Sequence, residues 1–246
     1  MGFPLMERVV YDHMAELDQR HWWYRGRRRV LAELIGRVVR PPAGASILEV
    51  GCGTGHNFEM LSKFGRVDAV ELDESARSMA EKRLGRRVLP DPLPELNGVD
   101  DGAYDVICAF DVIEHIVDDC RALAAIAAKL KPGGKLVMTV PAHPWMWSQH
   151  DVINHHQRRY SKRALAALIE GSPLSLEGIG YLNSLLFPIA AGQRLTAKLL
   201  NRDDDGLALP PGPLNGALEA IFAAERHLIG RVPLPPGLSL YAVASA

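Results

Sequence analysis

A carboxylate followed directly by a run of glycines is the feature of this chain with the plainest chemical use. Glu49-Val50-Gly51-Cys52-Gly53-Thr54-Gly55 follows the apolar pair Ile47-Leu48 and precedes a stretch, His56 to Lys63, that reads as helix. Glycine turns tightly and lets a backbone come close to a ligand. The unpaired N–H groups at a helix start favour an acidic group. Glu71 stands twenty residues after Gly51, at the end of a second apolar run. A carboxylate there can accept hydrogen bonds from two ribose hydroxyls. Together these residues describe a nucleoside site at the carboxyl ends of parallel strands. A dinucleotide site is the competing reading. Its glycine fingerprint requires glycine at position 56, where this chain has His56. Glu49 also suits a cationic ligand better than a pyrophosphate.

A second concentration of chemistry lies downstream. Residues 143–160 hold His143, His150, His155 and His156 with Trp145, Trp147 and Tyr160. Histidine titrates near neutral pH and serves as a general base, which makes His115, His143 and His150 the candidate bases. Aromatic side chains line pockets for organic molecules, and neighbouring arginines hold anions. Trp145, His156, Arg158, Arg159 and Tyr160 are therefore the candidate acceptor contacts. No metal site is expected, because the spacing of these histidines lacks a matching carboxylate arrangement.

The elements that must position these residues alternate. Strands are predicted at 47–50, 68–72, 104–110 and 135–140, with helices at 56–63, 74–84 and 118–131 between them. Three prolines, Pro90, Pro92 and Pro94, leave room for at most one short strand in 88–103. Residues 7–40 read as helix with a gap around Trp22–Gly26, stopped by Pro41-Pro42. After Pro141 the pattern changes: helices are predicted at 161–170 and 214–229, a mobile loop at 201–216, and a terminal strand at 238–244. Such alternation implies an α/β fold with a doubly wound, mostly parallel sheet.

Bulk properties exclude several classes. The chain has 246 residues, 48% hydrophobic and 23% charged, which is globular composition. A formal net charge of -1 argues against nucleic-acid binding driven by bulk charge. Arginines 20, 25, 27, 28, 29, 37 and 40 crowd the N-terminal segment. They read as a solvated helix face, with a grip on phosphate or a membrane surface as the rival reading. The three cysteines form no CxxC pair, and the acidic N-terminus is not a signal peptide, so a cytoplasmic setting is expected. The apolar stretch 181–200 is broken by Pro188, Gln193, Arg194 and Lys198. It suits a core, a dimer surface or a peripheral lipid contact rather than a membrane span.

ILEVGCGTG, VELDES, YDVICAFDVIEH and LKPGGKLVMTVP occur in that order over about residues 45–141. They resemble the successive motifs of class I S-adenosylmethionine-dependent methyltransferases with a methyltransferase type 11/12-like domain. The resemblance implies a Rossmann-like sheet of seven strands with an antiparallel last strand, and S-adenosylmethionine as cofactor, leaving as S-adenosylhomocysteine. It implies that Glu49, Gly51, Cys52, Gly53 and Gly55 line the methionine part, that Glu71 holds the ribose and that Leu72 packs on the adenine. Asp91 would face the adenine amine, and Phe110 and Asp111 would lie near the sulfonium, with Glu114 and His115 just beyond. HWWYRGRR, VPAHPWMWSQHD, HHQRRYS and YLNSLLFP resemble a narrower group of bacterial methyltransferase-domain proteins. That likeness implies an N-terminal helical cap over 1–44, whose residues 7–30 close over the site. The methyltransferase domain would then span 45–246, with substrate-side insertions in 143–232.

The implied chemistry is in-line methyl transfer to a small-molecule acceptor, anionic, sugar-linked or lipid-linked, by a monomer or homodimer. An RNA methyltransferase and a non-catalytic cofactor-binding regulator are the alternatives.

Overall fold

The computed structural model describes residues 15–199 and 209–246. Six strands form one sheet: β1 (Ala45–Val50), β2 (Gly65–Val70), β3 (Tyr104–Phe110), β4 (Leu130–Pro141), β5 (Ser175–Leu182) and β6 (Ser239–Ser245), in the spatial order β2-β1-β3-β4-β6-β5. β1 pairs in parallel with β2 and β3, and β3 with β4. β6 runs antiparallel between β4 and β5. The expected Rossmann-like topology and the antiparallel last strand are both present. The chain reverses its direction of strand addition at β1, and a ligand crevice opens at the carboxyl edge of such a switch point.

Among the described residues the expected seventh strand does not form. Leu89 alone bridges Val70, taking one bond from the Glu71 N–H and giving one to the Ala69 carbonyl. Pro90, Pro92 and Pro94 follow it, and proline cannot donate to a ladder. β5 is a strand that the sequence does not announce. Its glycines 178 and 180 and its half-buried side chains give little alternation. A Cβ at Gly180 would press on the Tyr241 ring of β6, so close strand packing explains the residue.

Strand alternation feeds two cores. Ile47, Val106, Cys108 and Val137 point to one face. There they meet Val30, Leu31 and Leu34 of α1 (Trp22–Leu34), Phe58 and Leu61 of α2 (Phe58–Leu61), and Phe222 from near the C-terminus. Leu48, Ile107, Leu136 and Met138 point to the other. They pack on Leu123 and Ile126 of α4 (Asp119–Lys129) and on Leu165 and Ile169 of α6 (Lys162–Glu170). Between these lie α3 (Glu74–Leu84) and the short α5 (Gln149–Ile153). α7 (Phe187–Leu199) and α8 (Gly212–Ala224) complete the order.

Two expectations about helices change. α1 runs unbroken through Trp22–Gly26, and the break falls earlier, at residues 18–21, where the His21 ring accepts from the Trp23 N–H. Gly26 is not a helix breaker here. It lies against Phe222 of α8, with no room for a Cβ. The loop expected at 201–216 is helical from Gly212 onward, and residues 201–208 lie outside the described residues. Among the described residues, no helix is long and apolar enough to cross a membrane.

Candidate active site

The glycine loop sits where β1 ends. The Gly51 and Cys52 N–H groups donate to the Val70 carbonyl of β2 at 2.9 and 3.1 Å. Gly51, Gly53 and Gly55 all have positive φ, 63°, 55° and 80°. At Gly55 a Cβ would overlap the Phe58 ring, whereas at Gly53 nothing lies within 4 Å of that position. Gly53 therefore keeps open a space that a side chain would fill. The Gly53 N–H donates to Glu71 Oε2 at 2.7 Å, and the Asp73 N–H donates to Oε1 at 2.9 Å. Burial pushes the Glu71 carboxyl up from its ordinary value despite these bonds. Leu72 beside it is an exposed apolar side chain.

Glu49 lies beneath the loop, 1% exposed. Oε1 accepts from Asn57 at 2.7 Å, and Oε2 has no partner. Burial raises its pKa to about 8. An orphaned buried acceptor beside an open glycine cradle suits a cationic ligand. Cys52 is buried too, and burial pushes its thiol well up, so it is a packing residue of the loop rather than a nucleophile. Asp91 is committed locally, its Oδ2 accepting from the Gly98 N–H at 2.7 Å.

Phe110 closes β3, and Asp111 follows with φ 55°. A non-glycine residue at positive φ is strained and marks a constrained site. Asp111 pairs with Arg27 Nη2 at 2.6 Å and accepts from Thr139 Oγ1 at 3.1 Å. Arg27 comes from α1. Its guanidinium also lies 4.6 Å from the Trp23 ring centre and 5.7 Å from that of Phe110. Composition alone places Arg27 among the surface arginines, yet it is 6% exposed. The signal was present: Arg27 falls on the same helical face as Tyr24, Val30, Leu31 and Leu34, all buried. Its neighbours Arg25 and Arg29 instead tie α1 to Glu219 of α8 at 3.1 and 2.9 Å. Asp18, also not singled out by the sequence, is fully buried and accepts from Thr54 in the glycine loop at 3.2 Å.

The acceptor-side residues divide into two groups. His143 follows β4 at the same edge, with φ 60°. Its ring stacks on Tyr181 at 5.5 Å and 9°, and packs on Phe187 at 4.9 Å and near Trp145. It donates to the Gly237 carbonyl, while Nε2 is buried without a partner. Burial lowers its pKa, as it does for His150, which sits against Asn154. The second group gathers around Asp151, which is fully buried. His156 Nδ1 and Arg159 Nε meet its Oδ1 at 2.9 and 2.7 Å. Arg158 and the Tyr160 hydroxyl share Asp119 Oδ2 at 2.6 and 2.8 Å. Both arginine charges are thus neutralised within the chain. His115 stands edge-on to His156, ring centres 4.7 Å apart, and burial drops its pKa to about 4.

A family model described as a methyltransferase domain matches residues 22–176, more than half of the chain. This chain belongs to the methyltransferase domain family. The match begins at α1, the helix that carries Arg27 into the site. A protein named as a probable S-adenosylmethionine-dependent methyltransferase from Mycobacterium tuberculosis is 32% identical over 137 residues, 55% of this chain and 47% of that protein. The chain thus spans about half the length of that relative. A ubiquinone biosynthesis O-methyltransferase from Xanthomonas axonopodis is 29% identical over 68% of this chain and 81% of its own. Among solved structures, geranyl diphosphate C-methyltransferase from Streptomyces coelicolor matches with a TM-score of 0.59 at 15% identity, over 99% of this chain and 87% of that one. At that identity the likeness establishes the fold alone.

Proposed function

We propose that this chain binds S-adenosylmethionine at the β1–β2 edge and transfers its methyl group to a small organic acceptor. The observation that carries the reading is the glycine cradle: Gly53 open above, Glu71 locked to its N–H, and the orphaned Glu49 Oε2 below. In this reading Glu71 would accept from the ribose hydroxyls and the exposed Leu72 would pack on the adenine. Glu49 and the glycine loop serve the methionine end, with Asp111 toward the sulfonium. The cofactor brings a methyl group already on an activated leaving group, so the protein's task is to align the acceptor and exclude water. The turn before α1 holds the loop through Asp18 and Thr54, and α1 holds Asp111 through Arg27, so this segment would supply that cover.

His143 is our candidate for the acceptor's proton. Burial lowers its pKa, its donor nitrogen is committed to Gly237, and Nε2, which has no partner among the described residues, would be the acceptor at the same edge as the cofactor loop. The His143, Tyr181, Phe187 and Trp145 rings lead to apolar side chains of α7 and its approach that stay exposed, Leu185, Ile189 and Leu195. We infer from this an acceptor with an apolar, lipid-linked part, methylated on oxygen; the ubiquinone-pathway relative supports the same class. Arg158 and Arg159, neutralised by Asp119 and Asp151, leave less support for an anionic acceptor.

The test is transfer of labelled methyl from S-adenosylmethionine into host extract, followed by separation into lipid, small-molecule, protein and nucleic-acid fractions. Label in the lipid or small-molecule fraction, lost in Glu71→Ala, is the expected result. Label confined to RNA would overturn the acceptor class, and cofactor binding with no label in any fraction would favour a regulator.

A further inference from the structure

We propose that Glu114, His115 and His156 form a binding site for a divalent transition-metal ion, beside the acceptor edge. Two of these residues follow β3 and the third lies in the loop before α6, so only folding brings them together. One ligand atom from each lies within 4.8 Å of the others. Metal bonds of about 2.0–2.2 Å hold ligand atoms roughly 3–4 Å apart, a distance reached by small side-chain rotations.

The state of each side chain points to an ion rather than to ordinary packing. Glu114 is completely buried, and neither carboxylate oxygen has a hydrogen-bond partner. A buried carboxyl group with nothing to bond is costly and calls for a partner. Asp151 Oδ1 pairs with His156 Nδ1 at 2.9 Å, which leaves Nε2 as the ring's ligand atom. Asp151 is itself fixed by Arg159 and by the Ser148 N–H at 2.9 Å. The His115 ring in turn donates to the Asn154 backbone carbonyl. Each imidazole therefore has one nitrogen tied to an acceptor behind it, the arrangement that orients metal-binding histidines. Two imidazoles and one carboxylate favour a borderline ion of the zinc, iron or manganese kind over magnesium or calcium. Three protein ligands leave coordination positions open. Asp111 lies within electrostatic reach of both Glu114 and His115, so the ion would border the carboxylate that closes β3. The histidine loop's own carboxylate, Asp151, is taken up by His156 Nδ1 and Arg159, and Glu114 supplies the ligand from another part of the chain.

The site can be tested without reference to methyl transfer, so its failure would leave the cofactor reading untouched. The full chain is stripped with a chelator and titrated with Co(II), read by its visible absorption, and with Zn(II), read by calorimetry. One ion per chain with cobalt ligand-field bands is expected. Glu114→Gln and His156→Gln should each weaken binding by about a hundredfold or more, and Asp151→Asn by roughly ten- to a hundredfold. Exposed His227→Gln should change nothing. Circular dichroism and melting establish that each variant is folded; if Glu114→Gln is not, His156→Gln decides. Absence of heat and of cobalt bands overturns the proposal. So does binding that the ligand substitutions leave unaltered.

Discussion

The buried Glu49 makes cofactor binding depend on pH in a calculable way. Without ligand its carboxyl titrates at about 8, because burial opposes the charge more than the Asn57 bond favours it. A cation at the free Oε2 would stabilise the carboxylate and return the pKa toward the ordinary range. Binding at pH 7 should then release about 0.9 proton from Glu49, and affinity should fall about fiftyfold from pH 8 to pH 6. The cofactor's own amine, near the ordinary 7.7–8.0 of α-amino groups, titrates in the same range. Glu49→Gln separates the two, since it is isosteric and keeps only the ligand's titration. The assay is calorimetry from pH 6 to 9 in buffers of differing ionisation enthalpy. Identical pH profiles for the natural chain and Glu49→Gln would refute the reasoning. Stability supplies a second readout. Because the folded pKa is raised, the neutral form stabilises the free chain below the unfolded value of 4.5, and that advantage is lost as pH rises through about 8. The full effect is on the order of a few kcal/mol. Glu49→Gln should therefore gain stability relative to the natural chain between pH 5 and 9, while losing cofactor affinity.

Other consequences follow from the same geometry. Gly53→Ala should fold, with about 1 kcal/mol of strain from its positive φ, yet bind S-adenosylmethionine at least about tenfold more weakly because the methyl group fills the cradle; calorimetry and a thermal melt separate the effects. Arg27→Met strands Asp111 beside the cofactor loop, and should destabilise by about 3 kcal/mol in denaturant unfolding. Adding Asp111→Asn should recover part of that loss. Burial alone would raise the Asp151 carboxyl, but the His156 and Arg159 hydrogen bonds hold it well below the usual carboxylate range. Its contribution is present above the ordinary carboxylate pKa and lost as pH falls through the depressed one. The melting temperature of Asp151→Asn should thus trail the natural chain from pH 5 to 8, and the gap should begin to narrow only as pH falls below about 4.

Much of this protein is written in local pattern. Short, nearly continuous apolar runs at Ile47–Val50, Tyr104–Phe110 and Leu136–Val140 specify strands buried on both faces. The prolines and glycines between them specify turns, and the spacing of Glu49, Gly53 and Glu71 reads as a nucleoside-binding edge. These features depend on near neighbours, so the order of residues suffices to read them. β5 escaped because its half-buried side chains and glycines carry no clear period, and the seventh strand dwindled to Leu89 because prolines removed its donors. What tertiary structure alone decided is which charges meet. Arg27 reaches Asp111 across more than eighty residues of chain, Arg159 and His156 converge on Asp151, and Glu114 is left facing two histidines without a hydrogen bond. A charged side chain looks the same in sequence whether water or a buried partner receives it; burial and pairing, set by the packing of distant elements, determine its chemistry.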